Sequence, residues 1–443
     1  MCKKFLLQII FVSLIVCQST VFSQNKIEFS TSQKEISNVK QPAVLFNSSY
    51  NLPTLITFAE SNNPELKSAH HKWQAAKERV SQAKSLPDPH IAYGYFMEEI
   101  QTRTGPQEHR FAVSQTIPWF EKLSLKEKIA LKETEAVYQE YQQLRLRLIE
   151  NIKSTFHEYG YLFHAIEINK QHIELLKAME QVASIRVKSG TLPQTNLLQI
   201  QIEQSKIEER IKELETLRVP LSSKLYVLLG MEPSNVLPWP EPFQNEIIDL
   251  DETNLNTLIF ENNPSLKRIE ILTEMENYNK ELANKNFYPD FTISLERINV
   301  DGGDDPMIAM FSINLPIWWE KLNAAKRETV ELKESRASSY RNQKYQLSAE
   351  FDLALYHFQD AQRKLRLYMN TLIPKAQQAI NIALKDFETD KISFADLLEV
   401  ERSLLEFQLM GKRQLANSNI RFAEIERLIG IELPCVNQQN KKE

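Results

Sequence analysis

The residues of this chain best placed to do chemistry are two acids three positions apart, Asp396 and Glu399. A spacing of three puts both on one face of a helix. Repeated by symmetry around a narrow passage, such a pair would form stacked carboxylate rings, which favour cations and repel anions. Set alone at a helix start, the same acids would be a solvated first turn that suits the helix dipole. His157 and His357 are 200 residues apart, one in each of two long helical stretches. With no second ligand nearby, each reads as a surface or interhelical residue, and no metal site or cofactor is expected. There is no nucleophile elbow, P-loop or HExxH, and glycine is scarce at 9 residues, so the chain does not read as an enzyme.

What would position such acids is legible as an internal repeat. Leu55-x-Thr57 recurs as Leu255-x-Thr257, and Asn62-Asn63-Pro64-x-Leu66-Lys67 as Asn262-Asn263-Pro264-x-Leu266-Lys267. Pro87-Asp88 recurs as Pro289-Asp290, and Glu121-Lys122-Leu123 as Glu320-Lys321-Leu322. Leu197-Leu198 recurs as Leu397-Leu398, and Gly230-x-Glu232 as Gly430-x-Glu432. A run of matches in one order over most of the chain is a duplication.

Each repeat has the same grammar. Asn63 or Asn263 caps a helix that opens on proline. The helix stops at Leu86-Pro87-Asp88-Pro89 or Tyr288-Pro289-Asp290, because proline lacks a donor and biases its predecessor to extended backbone. Alternating apolar residues follow, Ile91-Tyr93-Tyr95 and Phe291-Ile293-Leu295, the period of a half-exposed strand. A polar loop (98–108, 299–306) and a return strand (110–117, 308–315) complete one β-hairpin per repeat. Long helices are predicted over about 120–188 and 319–388, with Pro374 as their internal breaker. At about 1.5 Å per residue each would reach about 100 Å. Ile152, Phe156, Tyr159, Phe163, Ile166, Ile173 and Leu176 form a coiled-coil-like seam in the first. Each stretch turns near 187–193 or 387–392, and a last helix returns to Gly230 or Gly430 as C-cap.

The ends are of another kind. Lys3 and Lys4 precede an apolar run from Phe5 to Val16, and small or moderate residues stand before Gln24, which predicts a secretory signal peptide over 1–23. Lipidation at Cys17 is an alternative, although Val16 stands where a small residue is wanted. Cleavage would remove two lysines and no acid from a chain whose formal charge is already −5, and such a chain does not suit nucleic acid. The predicted organisation is signal peptide 1–23, N-terminal extended segment 24–50, repeat 51–232, proline-rich linker 233–251, repeat 252–433 and polar tail 434–443. No later apolar run can span a bilayer as a helix, so membrane residence requires a β-barrel, and two hairpins per chain require several chains to close one.

The duplicated Asn-Pro helix start, the helix–hairpin–helix order and the two tip turns resemble TolC-family outer membrane efflux proteins over nearly the whole mature chain. The tips match as Gly190-x5-Asn196 and Asp390-x5-Asp396, with Asn196 in place of Asp and Asp390 in place of Gly. The stretch Ser114-Gln115-Thr116-Ile117-Pro118-Trp119-Phe120-Glu121-Lys122-Leu123-Ser124-Leu125 is similar to the heavy-metal (CzcC/CusC-like) branch, which has Pro-Gly where this chain has Phe120-Glu121. The resemblance implies a mainly α fold with β-hairpins: a long α-helical barrel plus a 12-stranded transmembrane β-barrel shared by a homotrimer. It implies an outer membrane duct with its helical part in the periplasm, surrounded by outer membrane lipid. The duct would work with a periplasmic adaptor (membrane fusion) protein and an inner-membrane efflux pump of RND type. It makes Asp396, Glu399, Asn196 and Gln199 pore-constriction positions. Gly190, Thr191, Leu192, Asp390, Lys391 and Ile392 become adaptor contacts. A periplasmic coiled-coil scaffold or adaptor is the alternative; it would share the signal and the heptads but gives no reason for the hairpins.

Overall fold

A computed structural model describes residues 50–103, 105–234, 236–239, 255–389 and 391–433. The predicted signal peptide, the extended segment up to residue 49, most of the linker and the polar tail lie outside the described residues, as does Asp390. All described residues fall in one compact unit.

The duplication is visible element by element. Repeat 1 comprises α1 (Leu52–Asn62), α2 (Pro64–Lys84), β1 (His90–Thr102), β2 (Gly105–Ile117), α3 (Lys122–Lys188) and α4 (Gln194–Leu228). Repeat 2 comprises α5 (Leu255–Asn262), α6 (Pro264–Lys285), β3 (Asp290–Val300), β4 (Met307–Asn314), α7 (Trp319–Leu367), a π-helical turn (Tyr368–Leu372), α8 (Ile373–Glu388) and α9 (Phe394–Ile429). Among the described residues, no helix is long and apolar enough to cross a membrane.

Equivalent residues make closely similar contacts in both halves. Asn63 Oδ1 accepts from Leu66 N (3.0 Å), while its Nδ2 donates to Leu228 O (3.0 Å). Asn263 Oδ1 accepts from Ser265 N (2.9 Å) and its Nδ2 donates to Leu428 O (2.8 Å). One side chain thus caps a helix and fastens the far end of the repeat to its start. Gly230 and Gly430 complete the clasp: both have positive φ (75° and 93°), and a Cβ at either would fall 2.6–2.7 Å from the carbonyl oxygen of Asn62 or Asn262. Only glycine permits both the backbone and the approach.

The seam of α3 is buried at Ile152, Phe156, Tyr159, Ile166, Ile173 and Leu176, while Phe163 packs on Trp239 with ring centroids 5.3 Å apart. The second long stretch is not regular. Pro374 has no N–H to give, and its ring would crowd the carbonyl four residues back. The helix widens into the π turn, with Ile373 N donating to Tyr368 O, and continues. Gly411 of α9 faces this bulge; a Cβ there would lie 3.1 Å from Ile373 Cδ1. Repeat 1 has Glu174 and Ile211 at the matching positions, and α3 runs through without interruption.

The strands form one antiparallel sheet in the order β1-β2-β3-β4. The first hairpin is longer than the sequence pattern predicts: pairing continues through the polar run to Thr102 and Gly105, with a bulge between Tyr95 and Ile100 absorbing the mismatch. Ladder bonds are made by the backbone, so polar side chains did not end the strand.

Gly430→Ala should lower the thermal midpoint of the detergent-solubilised protein by more than Gly190→Ala. Both glycines take the left-handed region, which costs about 1–2 kcal/mol for another residue, but a Cβ at Gly190 meets nothing within 4 Å. Equal shifts would contradict the role assigned to the clasp.

Candidate channel elements

Two regions carry the features that a duct would need: the sheet and the turn between the long helices. In the sheet, directly paired residues share a face. Ile91, Val113, Leu295 and Ala309 stand on one row, Tyr93, Phe111, Arg297 and Met307 on another, and Gln115, Ile293 and Phe311 on a third. This face is largely apolar and open: Ile91 is 73%, Tyr93 60% and Phe311 66% exposed. The opposite face carries Arg110, Ser114, Thr116, Thr292, Ser294, Glu296, Ser312 and Asn314. There Arg110 grips the buried Glu296 with two bonds (Nε–Oε1 2.6 Å, Nη2–Oε2 2.7 Å), and the Thr116 and Thr292 hydroxyls meet at 3.0 Å. β1 and β4 are the outer strands, and neither outer edge is paired within the described residues.

Where strand meets helix, aromatic rings gather. Trp119 stacks on Tyr288 (5.2 Å between centroids) and tilts against Phe291 (5.3 Å). Phe120, Trp318 and Trp319 stand exposed at the same level of the two repeats. The elbow beneath is fixed by Lys122, whose buried ammonium donates to Asp290 Oδ1 (2.8 Å) and Tyr288 O (3.0 Å). Trp119 N donates to the same Asp290 oxygen (2.8 Å). Glu121 adopts φ 70° to enter α3 and pairs with Lys285.

At the helix turns, the end of α3 closes with Thr191 N donating to Arg186 O (2.9 Å) and Gly190 N to Val187 O (3.0 Å), Gly190 having φ 77°. This pair of bonds is the Schellman closure. Repeat 2 keeps the longer bond, Lys391 N to Asp386 O (2.8 Å), across position 390. Gly190, Thr191 and Lys391 are exposed, whereas Leu192 and Ile392 are half-buried against an apolar core of Met179, Ala183, Ile200, Ala383, Phe387 and Leu397.

Asp396 and Glu399 both lie exposed on the first turns of α9. Asp396 has a local task as well: with Ser393 it forms a capping box, accepting from Ser393 N (3.3 Å) while Ser393 Oγ accepts from Asp396 N (3.2 Å). Asn196 is half-buried and Gln199 exposed at the matching places in α4. Several residues at this end escaped the sequence reading. Arg402 reaches across from α9 to Glu203 of α4 (2.5 Å) and passes 3.7 Å from Glu399. Burial works against Glu203 ionising, but the hydrogen bonds from Arg402 and Lys206 outweigh it and hold the carboxyl below its ordinary range. Arg186 ties the two turns together, donating to Glu388 O (3.1 Å) with its guanidinium 4.8 Å from the Phe387 ring centre. Buried His172 lies between Glu401 (2.6 Å) and Gln408 (2.9 Å), linking α3 to α9. No local pattern announces these partners, which stand 199–236 residues apart in sequence.

His157 and His357 stand in different surroundings. Burial pushes the His157 imidazole down to about 4, with Lys153 adding to the effect, and His357 packs beside Tyr356. No group of three His, Cys, Asp or Glu is placed to hold a metal ion among the described residues.

The profile of the family described as outer membrane efflux protein matches residues 55–231, the first repeat. No curated protein matches the chain. Among solved structures, the outer membrane protein VceC from Vibrio cholerae is 18% identical, with 86% of this chain and 97% of that one covered and a TM-score of 0.71. CusC, described through its folding and transmembrane channel formation, is 14% identical over 90% of this chain and 96% of its own, with a TM-score of 0.73. The MtrE outer membrane channel of Neisseria gonorrhoeae is 14% identical over 86% and 89%, with a TM-score of 0.72. The profile match to one repeat, the recurrence of its contacts in the other and a fold shared along nearly the whole length of these channels lead to one conclusion: residues 55–231 match the outer membrane efflux protein family, and the chain as a whole has the TolC-type fold.

Proposed function

We propose that the protein is the outer membrane channel of a tripartite efflux system, a passive exit duct formed by a homotrimer. The observation that carries this reading is the sheet: an apolar face open to its surroundings, a polar face opposite, and two unpaired edges. An apolar outer face and a polar interior are what a membrane barrel needs, and a barrel must have no edge. Three copies of the four-stranded sheet would pool 12 strands, inside the range of about 8 to 26 known for such barrels. β1 and β2, 13 residues each, and β3, 11 residues, are long enough for a spanning strand of about 9–11 residues. The aromatic cluster at the elbow suits the membrane–water interface on the side where the helices leave. Rivalry from a periplasmic scaffold or adaptor is weakened by the same face, which such a protein would have no reason to expose.

The helical part would then lie in the periplasm, with residues 51–232 and 252–433 as its two repeats behind a signal peptide over 1–23. Its turns would meet a periplasmic adaptor through Gly190, Thr191, Leu192, Asp390, Lys391 and Ile392. Exposure of Gly190, Thr191 and Lys391 supports this. Leu192 and Ile392 would act by holding the turns in shape. Energy would come from an inner-membrane pump of RND type. Asp396 and Glu399 would ring the constriction, alternating with Asn196 and Gln199. Their shared exposed face supports a pore position, and Arg402 beside Glu399 would offset part of the acid charge. Such a constriction would pass cations preferentially. Metal cations as cargo agree with that selectivity and with the heavy-metal-like stretch 114–125.

Mass and single-particle shape of the detergent-solubilised mature protein test the duct directly. A trimer with a short barrel and a long helical extension is expected; a monomer or dimer would sink the reading. In planar bilayers, Asp396→Asn with Glu399→Gln should lower cation-over-anion selectivity and Arg402→Gln should raise it. Unchanged reversal potentials in both variants would remove these residues from the pore.

A further inference from the structure

The duplication holds for contacts as well as for sequence, and this allows the boundary between copies to be written down. The Asn63–Leu228 and Asn263–Leu428 clasps, with Gly230 and Gly430 over Asn62 and Asn262, are one arrangement made twice. The arrangement at the junction of the repeats is made only once. There β2 pairs with β3, and Lys122 and Trp119 N converge on Asp290.

Both halves of that junction nevertheless occur a second time. Asp88 follows Pro87 as Asp290 follows Pro289, and Lys321 sits in Glu320-Lys321-Leu322 as Lys122 sits in Glu121-Lys122-Leu123. Asp88 and Lys321 are exposed, and neither has a hydrogen-bond or ion-pair partner among the described residues. They cannot reach each other within one chain. Asp88 precedes β1 and Lys321 follows β4, at opposite edges of the sheet, and strands about 4.8 Å apart put about 14 Å of sheet between them. The helices repeat the pattern. α3 packs on α2, α4, α6 and α9, and buries Lys122, Leu125, Ala130, Thr134 and Ala136 in its first turns. α7 packs mainly on α6 and α9 and buries no residue before Leu347. What α7 lacks are the counterparts of its missing neighbours, α2 and α4 of another copy.

We infer that the seam between copies reproduces the repeat junction residue by residue. β4 of one copy pairs antiparallel with β1 of the next, Ile313 opposite Ile91 and Phe311 opposite Tyr93, and Lys321 pairs with Asp88 of that neighbour. This rests on the homotrimer proposed above. The register comes from moving the β2/β3 pairing, in which Gln115 faces Ile293 and Val113 faces Leu295, onto the matching residues of β4 and β1. It passes a check that was not built into it: Ile313 and Phe311 belong to the apolar face of β4, and Ile91 and Tyr93 to that of β1. Asn314 then meets His90, and Ser312 meets Ala92, on the other face. A slip of one residue would turn the apolar set of one strand to the polar side. Repeat 2 has one additional residue, Ile317, between its proline and Trp318. Because α7 opens at Trp319, Lys321 stays in the first helical turn and within reach of a strand start, as Lys122 is.

The test is oxidation of the full chain carrying Ala92→Cys and Ser312→Cys in a Cys435→Ser background, read on a non-reducing denaturing gel beside the native mass in detergent. A covalent trimer is expected, with little from Ala92→Cys paired with Met310→Cys and none from the single cysteines. A protein that is a trimer by mass yet cross-links only through the shifted pair, or through neither, overturns the seam and leaves the channel reading standing. A protein that is not a trimer by mass overturns both. For the ion pair, Asp88→Lys and Lys321→Asp should each lower the temperature at which the trimer dissociates, and the double swap should restore it. Singles without effect, or a swap as weak as the singles, would remove the pair from the seam.

Discussion

A strand edge inside a lipid bilayer has no water to satisfy it, so each N–H and C=O must find another strand. Two hairpins joined as β1-β2-β3-β4 satisfy three of the boundaries and leave two edges open. In the membrane setting proposed above, much else in the molecule would follow from that shortage. The sheet keeps an apolar face exposed that a water-soluble domain would bury, and the first strand of one repeat and the last strand of the other end beside Asp88 and Lys321, charges with no partner among the described residues. In water, open apolar edges invite uncontrolled pairing. In the proposed trimer the duplicated chain would offer them a defined solution, because each copy would present the half that its neighbour needs.

The helical part meets a different demand, which is length without loss of register. α3 runs as one regular helix from Lys122 to Lys188. Its counterpart must pass Pro374, and does so by widening one turn and placing Gly411 where the displaced backbone needs room. The two repeats therefore share a plan and differ in helix geometry at one level. Fastening at the base is the same in both: an asparagine that caps its own helix and holds the other end of its repeat, beside a glycine that allows the approach.

At the turns, the physical roles of the acids are layered. Asp396 accepts the backbone amide of the N-cap Ser393, closing the capping box that opens α9, and the same carboxylate stands on the exposed face with Glu399. Glu203 and Arg402 form a link between α4 and α9 that lies largely out of solvent on the acid's side, so it resists screening more than the surface pairs around it. Arg186 and His172 add further ties between elements of different repeats.

The sequence by itself determined the duplication, the helix starts at Asn-Pro, the stops at Pro-Asp, and the alternation that gives each strand an apolar face. All of these are local: capping acts over three residues, proline over one, and alternation over the pleat of a single strand. Ser393-x-x-Asp396 was equally local and readable as a capping box. Tertiary structure alone decided the rest. The continuation of the first hairpin through its polar run depended on a partner strand, and although Pro374 marked an interruption in the sequence, its form as a π turn packed beside Gly411 is seen only in the structure. The pairings of Arg402 with Glu203, His172 with Glu401 and Lys122 with Asp290 join residues 168 to 229 positions apart. No periodicity encodes such partners, because they are chosen by how one repeat settles on the other.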